Sequence, residues 1–175
     1  MADFDVAFHW TMKFEDPKMA WAQAPDAVPE GCRGPCYAIG GINSGLWPND
    51  FASIRALPQH ERAAAIAAFY QARYWNPWLA KITSDNLAKR VFDFGVNGGA
   101  ATAVRTVQKA VNALGVSLAV DGGWGQKTLA AVNAADPAAL VEAFISARAA
   151  HYQAIAASDP GKARYLSVWL ARARA

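Results

Sequence analysis

Phe92-Asp93-Phe94-Gly95-Val96-Asn97-Gly98-Gly99 is the stretch on which the fold turns. Upstream of Asn97, Val91, Phe92 and Val96 recur at helical spacing, and downstream Ala100, Ala103, Val104, Val107, Val111 and Leu114 continue the same period. The spacing predicts a buried helical axis from Asp85 to Leu114, interrupted at the paired glycines. Each glycine lowers helix propensity by about 1 kcal/mol relative to alanine, so the close approach of another backbone or a bulky ligand is expected there. Asn97, at the break, has two readings. It caps the second helix, or its short amide offers a donor and an acceptor to a polar partner such as a sugar N-acetyl group.

The 175 residues suffice for one ordinary domain or two small lobes with a real core. The net charge of +3 is unevenly placed: residues 1–88 hold 7 Lys/Arg against 9 Asp/Glu, and residues 89–175 hold 10 against 5. Such asymmetry points to an anionic partner, whether nucleic acid, a membrane surface or the cell wall. The basic residues are scattered and form no recognised nucleic-acid motif, so a nucleic-acid partner is not expected. Met1-Ala2-Asp3-Phe4-Asp5 has neither a basic nor an apolar signal region, and no apolar run reaches 18 residues. A chain made in the cytoplasm, without stable membrane insertion, is expected. Cys32 and Cys36 enclose Arg33-Gly34-Pro35, while His9, His60 and His151 are scattered without paired spacing, so zinc lacks its ligands. A small disulfide-clasped loop after export and a pair of plain thiols both remain open.

Phe4 to Glu15 reads as an amphipathic helix, with Phe4, Ala7, Phe8 and Phe14 near one face and Pro17 ending it. Glu15 therefore stands at the last turn of an apolar helix, where the negative helix end and partial burial disfavour its charged form. A general acid needs that environment; the plainer reading is an exposed acid beside Asp16. Residues 16–50 hold five of the nine prolines and five of the thirteen glycines, which predicts a long structured loop with one short hairpin around Tyr37 to Asn43. Its carboxylates Asp26 and Glu30 are candidates for the second member of a glycosidic pair.

Pro58 opens the next helix, which carries Ile66, Phe69, Tyr70 and Tyr74 down one side and ends in Tyr74-Trp75-Asn76-Pro77-Trp78. Those aromatics fit a core, and they also fit a surface on which sugar rings stack. Ser84 or Asp85 caps the central helix. Beyond Gly115, Asp121-Gly122-Gly123-Trp124-Gly125 reads as a turn with Trp124 as the plug into a core, and Thr128 or a neighbour starts a short helix. Asp136-Pro137 and Asp159-Pro160 repeat one device, an aspartate cap before a first-turn proline, and so predict helices over 138–157 and 161–174. The last places Lys162, Arg164, Arg172 and Arg174 around Leu166, Trp169 and Leu170. That is the pattern of a docked helix with a solvated basic face, or of one making weak contact with anionic membrane.

Val107-Gln108-Lys109-Ala110-Val111-Asn112-Ala113-Leu114-Gly115, followed by Val120-Asp121-Gly122-Gly123-Trp124-Gly125-Gln126-Lys127-Thr128 and Ala131-Val132, resembles the peptidoglycan-binding-like helical region of phage endolysins. The first half resembles glycoside hydrolase family 108. It has Glu15 at a helix end, a loop with Asp26, then Gly40-Gly41-Ile42-Asn43 and Phe69-Tyr70 with Tyr74-Trp75. The resemblance implies a mainly α, lysozyme-like fold with at most a small hairpin. It implies a catalytic lobe over 1–88 and a peptidoglycan-binding-like helical lobe over 89–175; because the central helix spans the junction near residue 88, the two are expected to pack as one unit, in a monomer. It further implies an N-acetylmuramidase that cuts the β-1,4 bond between N-acetylmuramic acid and N-acetylglucosamine in peptidoglycan glycan strands. Glu15 matches the family's acid and Asp26 its second carboxylate, with Asn43, Tyr70 and Asn97 as substrate-binding residues and no metal or organic cofactor.

Two positions depart from the family pattern. Glu15-Asp16-Pro17 stands where Glu-Gly-Gly is common, and the threonine often found before the Gly-Ile step is replaced near Tyr37 or Ala38. The expected setting is a phage endolysin released through a holin or a toxin delivered by a secretion machine, acting on the wall in the periplasm. The alternative is a non-catalytic wall-binding or tail-associated module.

Overall fold

The computed structural model describes residues 1–28 and 34–175. Glu30 and Cys32 lie outside them, and with Cys32 the question of a clasp to the buried Cys36. The chain is mainly helical with one small sheet. In order it runs α1 (Phe4–Glu15), β1 (Ala24–Asp26), β2 (Cys36–Ile39), β3 (Ile42–Asn43), α2 (Pro48–Ala56), α3 (Arg62–Tyr74), α4 (Pro77–Ala80), α5 (Asp85–Gly98), α6 (Ala100–Ala113), α7 (Gln126–Ala134), α8 (Pro137–Ser158) and α9 (Leu166–Arg174). Two compact units emerge: Phe8–Asn76, and Pro77–Ala175 together with Met1–Ala7. Among the described residues no single helix is long and apolar enough to cross a membrane.

In the smaller unit the sheet is antiparallel in the order β1-β2-β3, with Asp26 opposite Cys36, Ala24 opposite Ala38, and Ala38 opposite Asn43. Gly40 and Gly41 join β2 to β3, both at positive φ (55° and 76°), as the tight two-residue hairpin turn demands. The hairpin expected near Tyr37 to Asn43 is present, and β1 adds a third strand the sequence concealed. Helix α2 is also additional: Pro48 fits its first turn, and Phe51 and Ile54 face the core three residues apart. They pack in a core with Phe8, Met12, Ile39, Ile42, Ile66, Phe69 and Tyr70. Helix α3 closes at Tyr74, just before Asn76-Pro77, where the residue ahead of proline resists helical geometry.

In the larger unit the Ser84 hydroxyl accepts from the Leu87 N–H and starts α5, while the Asp136 carboxylate accepts from the Ala139 N–H and starts α8 ahead of Pro137. The break between α5 and α6 has two separate causes. Gly99 adopts φ +88°, and a side chain at Gly98 would collide with the Phe94 ring. The crowding group is thus the helix's own phenylalanine. Asn97 is not a cap: Gly99 holds that place, and the Asn97 oxygen accepts from the Tyr152 hydroxyl. Asp159 is likewise no helix cap. It closes a turn by accepting from the Gly161 N–H and pairing with Lys162, and α9 begins only at Leu166.

Asp93, on α5, is fully buried and meets two guanidinium groups. Arg148 of α8 approaches one carboxylate oxygen at 2.8 Å and Arg172 of α9 the other at 2.7 Å. Arg148 lies over the Phe94 ring and donates from Nε to the Tyr152 hydroxyl at 3.1 Å, which in turn reaches Asn97. One carboxylate therefore ties three helices together. The finding corrects the reading of a wholly solvated basic face on the last helix, since the Arg172 side chain is only 11% exposed. With Arg90 and Arg148 it removes three of the ten basic residues of the second half from the surface. Replacing Asp93 by Asn is expected to lower unfolding stability by about 3–5 kcal/mol, because it leaves buried cations uncompensated. An unchanged urea midpoint would contradict this account of the network.

Candidate active site

The smaller unit holds a cleft of about 340 Å³ at the C-terminal end of α1. Its described lining includes Glu15, Asp16 and Lys18, with Ala20, Ala22, Ala24, Ala38, Gly40 and Gly41 as low walls that leave room for a bulky ligand. Glu15 reaches this position because Pro17 stops the helix two residues later. Its carboxylate lies against the β2–β3 turn: a Cβ added at Gly41 would stand 3.0 Å from Glu15 Oε2 and 2.6 Å from the Tyr70 hydroxyl. Gly41 is bare because those two groups occupy its side. Tyr70 is buried and donates its hydroxyl hydrogen to the Gly40 carbonyl at 2.9 Å, which fixes the turn beneath Glu15. Nearby, burial pushes the Tyr74 phenol above its ordinary range, Arg73 pulls it back, and the charge of Glu15 adds to the rise.

The loop after Glu15 is strapped down. The two Asp16 oxygens accept from the Ala20 and Trp21 N–H groups at 3.2 and 2.9 Å. Arg62, at the start of α3, donates to the Trp21 carbonyl, and Gln59, just ahead of that helix, donates to the Ala20 carbonyl. Within this loop Met19 and Trp21 sit at positive φ, 46° and 51°, a conformation that side-chain-bearing residues keep only when their surroundings impose it. Trp21 stacks on Phe8, so the rim of the cleft is tied to the core.

Asp26 lies two residues along β1 from the cleft-lining Ala24, and so on the same face of the strand. Its Oδ2 accepts from Asn43 Nδ2 at 2.8 Å and its Oδ1 from the Ala27 N–H at 2.8 Å. The buried Asn43 spends the rest of its amide nearby, donating to the Ala27 carbonyl and accepting from the Gly45 and Leu46 N–H groups. Asn43 therefore touches the Asp26 carboxylate, and Tyr70 holds the turn against which Glu15 lies. Of the residues singled out from sequence, Glu15, Asp26, Asn43 and Tyr70 fall in this unit, and Asn97 falls in the other. Sequence reading named Asp16 and Gly41 within motifs but gave neither a role in the site. Asp16 had a weak signal as an aspartate before proline; Gly41 had none beyond the Gly-Gly pair.

Comparison with known proteins adds a decisive observation: residues 39–99 match the family Glycosyl hydrolase 108, and residues 102–174 match the Predicted Peptidoglycan domain. The chain carries a glycosyl hydrolase 108 domain. It is a glycoside hydrolase, with the predicted peptidoglycan domain following. The structure of Brucella abortus SagA is similar in fold, with a TM-score of 0.61 and 23% identity over 97% of this chain and 92% of that one. The chain thus has the mainly helical fold with one small sheet that its sequence leads one to expect, and shares that fold with the SagA structure. No curated protein matches the chain.

The match begins at Ile39, so Gly40, Gly41, Asn43 and Tyr70 lie inside it, whereas Glu15 and Asp26 precede it. Gly41→Ala is expected to cost roughly 1–2 kcal/mol from the left-handed backbone alone and to drive the Glu15 carboxylate from its place. Urea unfolding and the NMR signals of a ¹³C-labelled Glu15 check this; a wild-type midpoint with an unmoved Glu15 would contradict it.

Proposed function

We propose that this glycoside hydrolase is an N-acetylmuramidase of peptidoglycan, with Glu15 as its general acid. The observation that carries the reading is the seat of Glu15. A carboxylate at the end of an apolar helix is held over a bare glycine, in a cleft with alanine and glycine walls, next to a region that matches a glycosyl hydrolase family. The following predicted peptidoglycan domain supports the bacterial wall as the polymer.

In this mechanism Glu15 gives its proton to the glycosidic oxygen as the bond to C1 of N-acetylmuramic acid breaks. Asp26 stabilises the oxocarbenium-like transition state or activates the water that completes hydrolysis. Asn43 is a positioning residue: its amide on Asp26 Oδ2, together with the Ala27 N–H on Oδ1, fixes the orientation of the carboxylate. Tyr70 is another, since it holds the Gly40 carbonyl and with it the turn under Glu15. The threonine of the family pattern is absent. The described residues lining the cleft include no hydroxyl side chain, and Ala38 stands on the wall. Asp26 then carries the second role without a hydroxyl partner. Its place of action is the wall, reached through a holin or a secretion machine.

Glu15→Gln tests the reading. Because general acid catalysis contributes about 10²–10⁴-fold, the variant should clear purified peptidoglycan at least a hundredfold more slowly while its melting temperature stays near wild type. A well-folded variant within tenfold of wild type removes Glu15 from the role. If wild type and variant both bind the wall and neither cuts it, the chain is a wall-binding module.

A further inference from the structure

The larger unit contains a second built cavity that the cleavage mechanism leaves unused. Residues 117–125, between α6 and α7, have no regular secondary structure, yet two amide side chains one helical turn apart on α6 fasten them. Gln108, itself buried, donates to Asp121 Oδ1 at 2.7 Å and to the Gly123 carbonyl at 3.1 Å, and accepts from the Gly122 N–H at 3.0 Å. Asn112 donates to the Leu118 carbonyl and accepts from its N–H. The cavity above this loop has a volume of about 410 Å³, in the range of ligand clefts.

Its lining combines three kinds of group. Trp124, expected from sequence to plug a core, is half-exposed and forms a wall. Helix α7 begins here at Gln126 after Gly125, with no side chain capping it, and Lys127 is exposed in its first turn. Such an end favours an anion. Thr128 is only 6% exposed and lines the cavity, and its hydroxyl makes no hydrogen bond among the described residues. A ligand in the cavity can supply that bond. Asp121 accepts both of its hydrogen bonds on Oδ1, which leaves Oδ2 as an acceptor.

We infer that this cavity is a glycan-holding site for the muramoyl unit of peptidoglycan, separate from the cutting cleft. The pyranose ring lies against Trp124, which is apolar on its face, as sugar rings are. The lactyl carboxylate meets the α7 N-terminus and Lys127. Asp121 Oδ2 accepts from a sugar hydroxyl or amide, and the Thr128 hydroxyl takes the remaining polar contact. The inference rests on the wall being the substrate and names the place where the second domain holds it. It also gives the carboxylate a part in selection: a chitin-type sugar has the ring without the anion.

The test is an NMR titration of the full chain in the Glu15→Gln form with two soluble probes, the disaccharide N-acetylglucosaminyl-N-acetylmuramic acid and chitobiose. The muramic disaccharide should shift the Gly125 to Leu129 amides and the Trp124 indole, and should bind at least tenfold more tightly there than chitobiose. Lys127→Gln and Trp124→Ala should each weaken that binding tenfold or more; Thr128→Val, close in shape, should weaken it severalfold without a fall in melting temperature. Still loop signals, equal affinity for the two sugars, or unchanged binding in Lys127→Gln and Thr128→Val would overturn the inference. Wall cutting by the wild-type chain is scored separately. Cutting with a silent loop removes this site alone, and a responsive loop without cutting removes the catalytic reading alone.

Discussion

A buried carboxylate between two guanidinium groups is the interaction on which the larger unit depends. Removing Asp93 from water costs several kcal/mol, and only two cations at hydrogen-bond distance, from α8 and α9, offset that cost. The arrangement specifies which faces of α5, α8 and α9 meet, because both guanidinium groups must converge on one carboxylate. Apolar packing around Phe94, Phe144 and Tyr152 then fills the space the ions define. The same network absorbs the Asn97 oxygen, so a residue whose short amide suggested a sugar partner serves an internal bond.

The cleft of the smaller unit follows a different rule: its chemistry is set by what is missing. Gly41 has no side chain, and the vacated volume belongs to Glu15 and Tyr70. The walls are alanines and glycines, so the carboxylate stands clear above them. Rigidity comes from groups behind the surface: Asp16 ties the rim, Arg62 and Gln59 strap it from the side, and Asn43 holds Asp26. Preorganisation of this kind lets a small site impose one geometry on a reacting bond.

The helices with strong local signals could be read from the chain alone. Val91 to Val111 kept its period through the break, and Ser84 and Asp136 announced the starts they make. Strand β1 could not be read: it has three residues, Pro25 among them, and all are exposed, so neither alternation nor apolar content marks it. Helix α2 hid behind the proline and glycine content around it, although Pro48 suits a first turn. The Asp93 network was invisible because its partners lie 55 and 79 positions away, and the sequence gives them no common motif. For the site, the helix ending at Pro17 pointed to Glu15, whereas the bond from Asn43 to Asp26 appears only when β1 and β3 flank β2 in one sheet.

Hydrolysis at C1 of N-acetylmuramic acid is the chemistry we propose for this chain. Digestion of purified peptidoglycan in water enriched in ¹⁸O tests it most directly, because the attacking water must leave its oxygen at C1 of the new end. Soluble fragments with reducing N-acetylmuramic acid ends are expected, each bearing one heavy oxygen set in place at cleavage. Fragments ending in anhydro-muramic acid without the label, or labelled ends on N-acetylglucosamine, would contradict it.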